Sequence, residues 1–239
     1  MPTFTHGKNA VVLLDNTNLT TTLTDLSLSL TSDVSETSTF NSTSKTFVSG
    51  LKDGTATLSG YYESSDPDAD AEYLAQLGGS GSGFSIANIG YTRGNPVSFG
   101  TTLETSYDRS ADVNSVVSVA IAFQFTGDSY NGKSLLEPTT KTSTSTETSV
   151  DFGSAGSNGG AAILHVTNSS GTGQTLDAKI QTSTDNISFS DYITFTQVTT
   201  SGTSEIQTSA SAPARYARCV LTIAGTTPSY TVAIGFAQT

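Results

Sequence analysis

The 239-residue chain has one cysteine, one methionine, two histidines, no tryptophan and ten Lys+Arg. The lone Cys219 has no partner for an internal disulfide, and its neighbours Val220, Leu221 and Ile223 mark it as a buried thiol. So few His and Cys residues leave little material for a nitrogen- and sulfur-liganded metal site. Ten basic residues against 21 acidic ones give a net charge of −11. That balance provides no long-range basic footprint for nucleic acid or anionic lipid. No apolar run approaches the length of a membrane span. The opening segment Met1–Lys8 lacks the apolar core of a secretory signal, so the chain is expected to remain where it is made or to leave by lysis. With 13% charged and 35% hydrophobic residues, the composition is that of a folded chain, not a charge-rich disordered one.

What is abundant points to strands. Ser and Thr make up nearly a third of the chain, and there are 22 glycines. Strong helix formers are scarce, which favours polar-faced β-strands joined by turns. Leu26, Leu28 and Leu30 alternate with Ser27, Ser29 and Thr31, the period of a half-buried strand. Residues 55–62 continue in that manner. A longer alternation sets Val117, Val119, Ile121, Phe123 and Phe125 on one face, with Ser118, Ala120, Ala122, Gln124 and Thr126 on the other. The first set belongs to a core, and the second forms a small, polar face. One short helix is predicted over 66–78, with Asp66 as N-cap, Pro67 at the first position and Gly78 as the stop, packing through Tyr73, Leu74 and Leu77.

The passage 137–149 is rich in Ser and Thr and has no apolar residue but Pro138, so it reads as a linker or first-strand region between two domains, 1–136 and 150–239. Beyond it, short strands are predicted at 161–167, 175–181, 192–197, 216–223 and 230–236. Their spacing, with no helix between them, argues for a β-sandwich. The first domain holds most of the acidity: fourteen of the 21 acidic residues precede residue 136.

Chemical motifs mostly fail on context. Gly127–Ser134 fits the G-x-x-x-x-G-K-[ST] phosphate-loop pattern, which works only where a helix follows, and Leu135-Leu136-Glu137-Pro138 cannot begin one of several turns. Asp66, Asp68, Asp70 and Glu72 suggest a calcium loop, yet Ala71 and Leu77 stand where an EF-hand needs Gly and Glu. They read better as acids favoured by a helix N-terminus. His6 and His165 are the only candidate histidine bases, and no G-x-S-x-G elbow accompanies them. Sugar-stacking tryptophan is absent, which argues against a glycosidase. No catalytic, cofactor-binding or metal-binding residue is assigned, and no enzyme activity is expected.

Lys8–Asp15, Leu26–Ser29, Glu36–Phe40 and Gly50–Glu63, followed by the strand ending Phe123–Gly127, resemble the major tail tube proteins of long-tailed bacteriophages. The resemblance spans most of residues 8–135. It implies an all-β, barrel- or sandwich-like tail-tube domain with one short helix. Such subunits form homo-hexameric rings that stack into a tube, join other phage tail proteins in a virion assembled in the host cytoplasm, and let DNA pass without specific binding. The segment Thr31–Phe47, with many Ser, Thr, Asp and Asn and few apolar residues, reads as a loop too long for a simple hairpin; the resemblance implies that it reaches the next ring, with Asp33, Glu36, Thr39, Phe40, Lys45 and Phe47 as its contact residues, and that Ser118, Ala120, Ala122, Gln124 and Thr126 face the lumen or a neighbouring subunit. Gly159–Thr167, Lys179–Asp191 and Arg215–Arg218 resemble the Ig-like or jelly-roll-like sandwiches appended to phage tail proteins. Relatives often carry Trp where Phe189 stands. That domain is expected to be an outward decoration dispensable for polymerisation. The alternative function is a non-catalytic sandwich that recognises a cell surface or glycan.

Overall fold

The computed structural model describes residues 6–63, 74 and 76–239. The fold is all-β, as its composition predicts, and nearly every strand pairing is antiparallel. The strands are β1 (Val11–Leu14), β2 (Thr17–Asn18), β3 (Leu23–Glu36), β4 (Phe47–Tyr61), β5 (Ser82–Ala87), β6 (Pro96–Ser110), β7 (Ser118–Lys141), β8 (Ser145–Thr146), β9 (Val150–Asp151), β10 (Gly160–Ser183), β11 (Ser190–Thr194), β12 (Thr203–Ser209) and β13 (Tyr216–Gln238).

Two compact units are present, and they do not divide the chain at residue 136. The first comprises Met1–Thr21, Ser82–Thr101 and Ser129–Thr239; the second comprises Thr22–Gly81 and Thr102–Asp128. β6 and β7 each contribute residues to both.

The first unit is organised by β10 and β13, which pair along almost their whole length, from Gly160↔Gln238 to Ser183↔Tyr216. The four strands predicted at 161–167, 175–181, 216–223 and 230–236 are thus two. Register shifts between Val166 and Thr175 interrupt the ladder, and Gly171, Gly173, Gly225 and Thr227 have positive φ there. Bulges of this kind bend a strand pair sharply. The two halves of the bent ribbon enclose one core: Leu164, Val166, Tyr230, Val232 and Ile234 from one half, and Leu176, Ile180, Cys219 and Leu221 from the other. Cys219 is fully buried there, and burial pushes its thiol up to about 12, so it is inert.

A second core lies on the other face of the same ribbon. Ala161, Ile163, Ala233 and Ala237 pack against Leu13, Ala87, Tyr91, Val97 and Phe99 from β1, β5, β6 and the loop between the latter two. The near-continuous apolar run Ala161–Val166 follows from this, because a strand covered on both faces has no solvent side to keep polar. β12, too polar to stand out in the sequence, pairs with β10 along Gly160–Val166.

The Ser/Thr-rich passage is held as strand and anchored loop. Glu137–Lys141 complete β7, and β8 pairs with β13 at Val220 and Leu221. Glu147 accepts from Lys141 at 2.5 Å, from Ser145 at 2.8 Å and from Arg93 at 3.0 Å. Burial pushes its carboxyl up, but the bonds from Lys141 and Ser145 and the two positive charges outweigh this and hold it below the usual range.

In the second unit, β3 pairs with β4 and β4 pairs with residues 118–124 of β7. Most of the helix predicted over 66–78, including Tyr73 and the acids from Asp66 to Glu72, lies outside the described residues. Leu74 and Gln76 are helical and Gly78 has φ +74°, as the predicted stop requires. Leu74 and Leu77, expected to pack, are exposed. Gly60 is buried where a Cβ would lie 2.1 Å from the carbonyl oxygen of Thr22. Gly60→Ala is expected to cost about 2–4 kcal/mol by forcing the backbones apart, read as a lowered urea midpoint; an unchanged midpoint would show that β3 shifts freely.

Candidate functional site

The β3–β4–β7 sheet of the second unit carries the arrangement most informative for function. Residues directly opposite in an antiparallel ladder share a face, so the register defines its rows: Ser29, Thr55 and Gln124; Ser27, Thr57 and Ala122; Asp25, Ser59 and Ala120. Thr31 opposes Asp53, and Tyr61 opposes Ser118. These rows contain two carboxylates and no Lys or Arg. Gln124 ties the strands together, donating to the Asp53 carboxylate and, at 3.0 Å, to the Gly54 carbonyl. The rows of the opposite face are Leu26, Leu58 and Ile121, then Leu28, Ala56 and Phe123, with Leu58, Ala56, Ile121 and Phe123 buried.

The alternation predicted for 117–126 is therefore present. Val119, Ile121, Phe123 and Phe125 are buried, whereas Ser118, Ala120, Ala122, Gln124 and Thr126 are half-buried or exposed. Sequence reasoning did not place Asp25, Ser59, Thr57 and Thr55 beside them. Each strand shows its own period, but only register shows that the polar faces coincide. Among the described residues β3 pairs with β4 alone, which leaves the outer edge of a 14-residue strand open as a template for pairing.

The segment Thr31–Phe47 is not a loop throughout. Thr31–Glu36 belong to β3 and Phe47 begins β4, so the connection is residues 37–46. Asp33 sits at a register shift between Ser32 and Val34, and Glu36 opposes Phe47. Lys45 pairs with Glu36 at 3.0 Å, an exposed bridge that adds little stability. Thr39 and Ser42 close a turn, the Ser42 amide donating to the Thr39 carbonyl and the Thr39 amide to Ser42 Oγ. Phe40 stands fully exposed at its apex, and Val34, Phe47, Val48 and Leu51 are exposed nearby. Large apolar side chains gathered in water mark an interaction surface.

The other candidates fall into structural roles. Gly127–Ser134, the phosphate-loop match, lies inside β7 with no helix after it. His165 is fully buried; its Nε2 is 2.9 Å from Ser85 Oγ and its Nδ1 2.8 Å from the Asp15 carbonyl. A carbonyl only accepts, so Nδ1 carries the proton and Nε2 accepts from Ser85. Ser85 is also fully buried, so this pair meets no substrate. Burial pulls His165 down to about 4 against a smaller opposing effect of Asp15. The Arg218 guanidinium lies 3.9 Å over the Phe189 ring, occupying a face that a sugar would need. Among the described residues no group of three His, Cys, Asp or Glu is placed to hold a metal ion, and no helix is long and apolar enough to cross a membrane.

No family model and no curated protein matches the chain. Solved structures do. A chain of the native gene transfer agent virion is 17% identical, with a TM-score of 0.44, covering 53% of this chain and 97% of its own. The SPP1 tail tube is 14% identical, with a TM-score of 0.45, covering 54% of this chain and 78% of its own. The SPP1 Dit protein, described as a hub adsorption apparatus of phages infecting Gram-positive bacteria, is 10% identical, with a TM-score of 0.38, and covers 95% and 98%.

Proposed function

We propose that this chain is a non-catalytic structural subunit of a phage tail tube, assembling through the β3–β4–β7 sheet into homo-hexameric rings that stack around a channel for DNA. One observation carries the reading. A three-strand face of hydroxyls, small side chains and two carboxylates, without Lys or Arg, is what a wall must present to passing phosphates if it is not to hold them by counterion release. The open edge of β3 supplies the lateral contact and the exposed apolar hairpin the contact between rings. The resemblance of residues 8–135 to tail tube proteins points the same way. A sugar-recognition role has no comparable support, since Arg218 occupies one face of Phe189 and tryptophan is absent.

Electron microscopy of the purified protein tests this directly: rings or tubes are expected, and a monodisperse monomer at high concentration would refute it. Adding lysines on the polar face by Ser27→Lys, Thr57→Lys and Ala120→Lys is expected to leave tubes intact. The variant tubes should co-sediment with duplex DNA at low salt and release it as salt rises. Wild-type tubes that retain duplex DNA at physiological salt would remove the channel assignment.

A further inference from the structure

Two Asn-Gly steps occur in the chain, Asn131-Gly132 and Asn158-Gly159. In such a step the glycine nitrogen can attack the side-chain amide carbon of the asparagine, because glycine has no Cβ to stand in the way and tolerates the backbone rotation required. The structure treats the two steps differently. Asn131-Gly132 lies inside β7, and Asn131 Oδ1 accepts from Ser98 Oγ at 2.6 Å, which fixes the side-chain amide. A Cβ at Gly132 would overlap the Phe236 carbonyl and the Ala237 Cα, so the backbone of β13 lies hard against this peptide and blocks its rotation. Asn158-Gly159 lies in the connection before β10, and Asn158 is exposed. The Asn158 amide donates to the Thr239 carbonyl at 2.8 Å, and the Thr239 amide donates to the Gly159 carbonyl at 2.9 Å. Those bonds hold the outer groups of the pair and leave the peptide between them unbonded. Among the described residues, the Asn158 carbonyl, the Gly159 N–H and the Asn158 side chain have no hydrogen-bond partner. Such unpaired peptide groups are uncommon where a chain is packed, and Gly159 is buried. Its φ of +127° is one that residues with a Cβ rarely adopt. The nucleophile, the carbon it must reach and the freedom to bring them together coincide at this step alone.

We propose that Asn158 is a site of spontaneous deamidation, and that the change loosens the end of the β10–β13 ladder. A bond forms between Gly159 N and Asn158 Cγ. The Cγ–Nδ2 bond breaks, and Nδ2 leaves as ammonia, taking the Gly159 amide proton. Water then opens the cyclic imide. Cleavage at Cγ leaves Asp; cleavage at the main-chain carbonyl leaves isoAsp, with the chain rerouted through Cβ and the α-carboxylate free. Either product adds a negative charge. The isoAsp form also lengthens the backbone by one methylene between the two groups that bond Thr239, so both bonds cannot keep their geometry. Thr239 follows Gln238, whose partner Gly160 opens β10, so the loosening reaches the first rung of the ladder.

The test uses the full folded chain, held in mildly alkaline buffer and sampled by peptide mapping with mass spectrometry that separates Asn, Asp and isoAsp. Asp and isoAsp are expected to accumulate at position 158 while Asn131 stays an amide. In concentrated urea the two steps are expected to convert at similar rates, because the reacting atoms are the same once the fold is gone. Asn158→Gln, whose longer side chain would have to close a larger ring, is expected to remove most of the ammonia released by the folded chain. An Asn158 that stays an amide in the folded chain would overturn the proposal, as would an Asn131 that converts there equally fast. Hydrogen exchange checks the consequence. The Thr239 amide is expected to lose protection in the converted protein, while amides in the middle of β13 keep theirs. Unchanged protection at Thr239 would overturn the loosening.

Discussion

A chain ending at Leu136 is expected not to fold: it should be insoluble, or bind hydrophobic dyes without a cooperative urea transition. Truncation there removes Ala161, Ile163, Ala233 and Ala237, the cover over Leu13, Ala87, Tyr91, Val97 and Phe99. It also strips the partners of Leu135, which is fully buried in the C-terminal core. Exposing four large side chains at roughly 1.5–3 kcal/mol each removes at least about 6 kcal/mol, comparable with the whole stability of a typical domain. The polar passage 137–149 and the apparent self-sufficiency of the later strands suggest the opposite, a dispensable appendage. A soluble 1–136 fragment with a sharp transition, or one that assembles, would show that the first core closes without β10 and β13.

Stability is expected to fall by about 2–3 kcal/mol between pH 7.5 and pH 4.5 through His165 alone. Its folded pKa is depressed from 6.5 to about 4. The unfolded chain therefore takes up a proton below about pH 6.5, while the folded chain resists until about pH 4. The stabilisation is complete above 6.5 and is lost as pH falls towards 4, at about 1.4 kcal/mol per pKa unit. Asp151 and Asp185 are held near 2, Asp151 chiefly by Arg215 and Asp185 chiefly by the Ser188 and Ile187 amides. Their contribution is lost mainly below about pH 4, outside this window. Urea midpoints across the window measure the effect. His165→Gln, which keeps a neutral donor and acceptor, should be less stable at pH 7.5 but flatter towards acid by about the same 2–3 kcal/mol. An equally steep variant would move the acid sensitivity to other groups.

Strand identity was legible wherever one face is wet. Leu26–Thr31 and Val117–Thr126 alternate because water on one side enforces the period, and the buried state of Cys219 follows from its apolar neighbours. The apolar faces of β3 and β7 taken singly, the exclusion of a nucleotide loop at Gly127–Ser134 and the polar character of Ser118, Ala120, Ala122, Gln124 and Thr126 all come from local pattern. The apolar run Ala161–Val166 also states, without alternation, that both its faces are covered.

What covers them is a tertiary matter. The sequence holds nothing near residue 163 that names Val97 or Phe99 as a neighbour, because packing between distant segments is non-directional and leaves no local mark. The same holds for register: Ser27, Thr57 and Ala122 form one row only because hydrogen bonds fix three strands at one offset, and a slip of one residue would turn each strand's polar set to the other face. Composition made this chain an acidic, hydroxyl-rich β protein; the pairing of β10 with β13 and the rows of β3, β4 and β7 decided where its cores close and which face it leaves bare of positive charge.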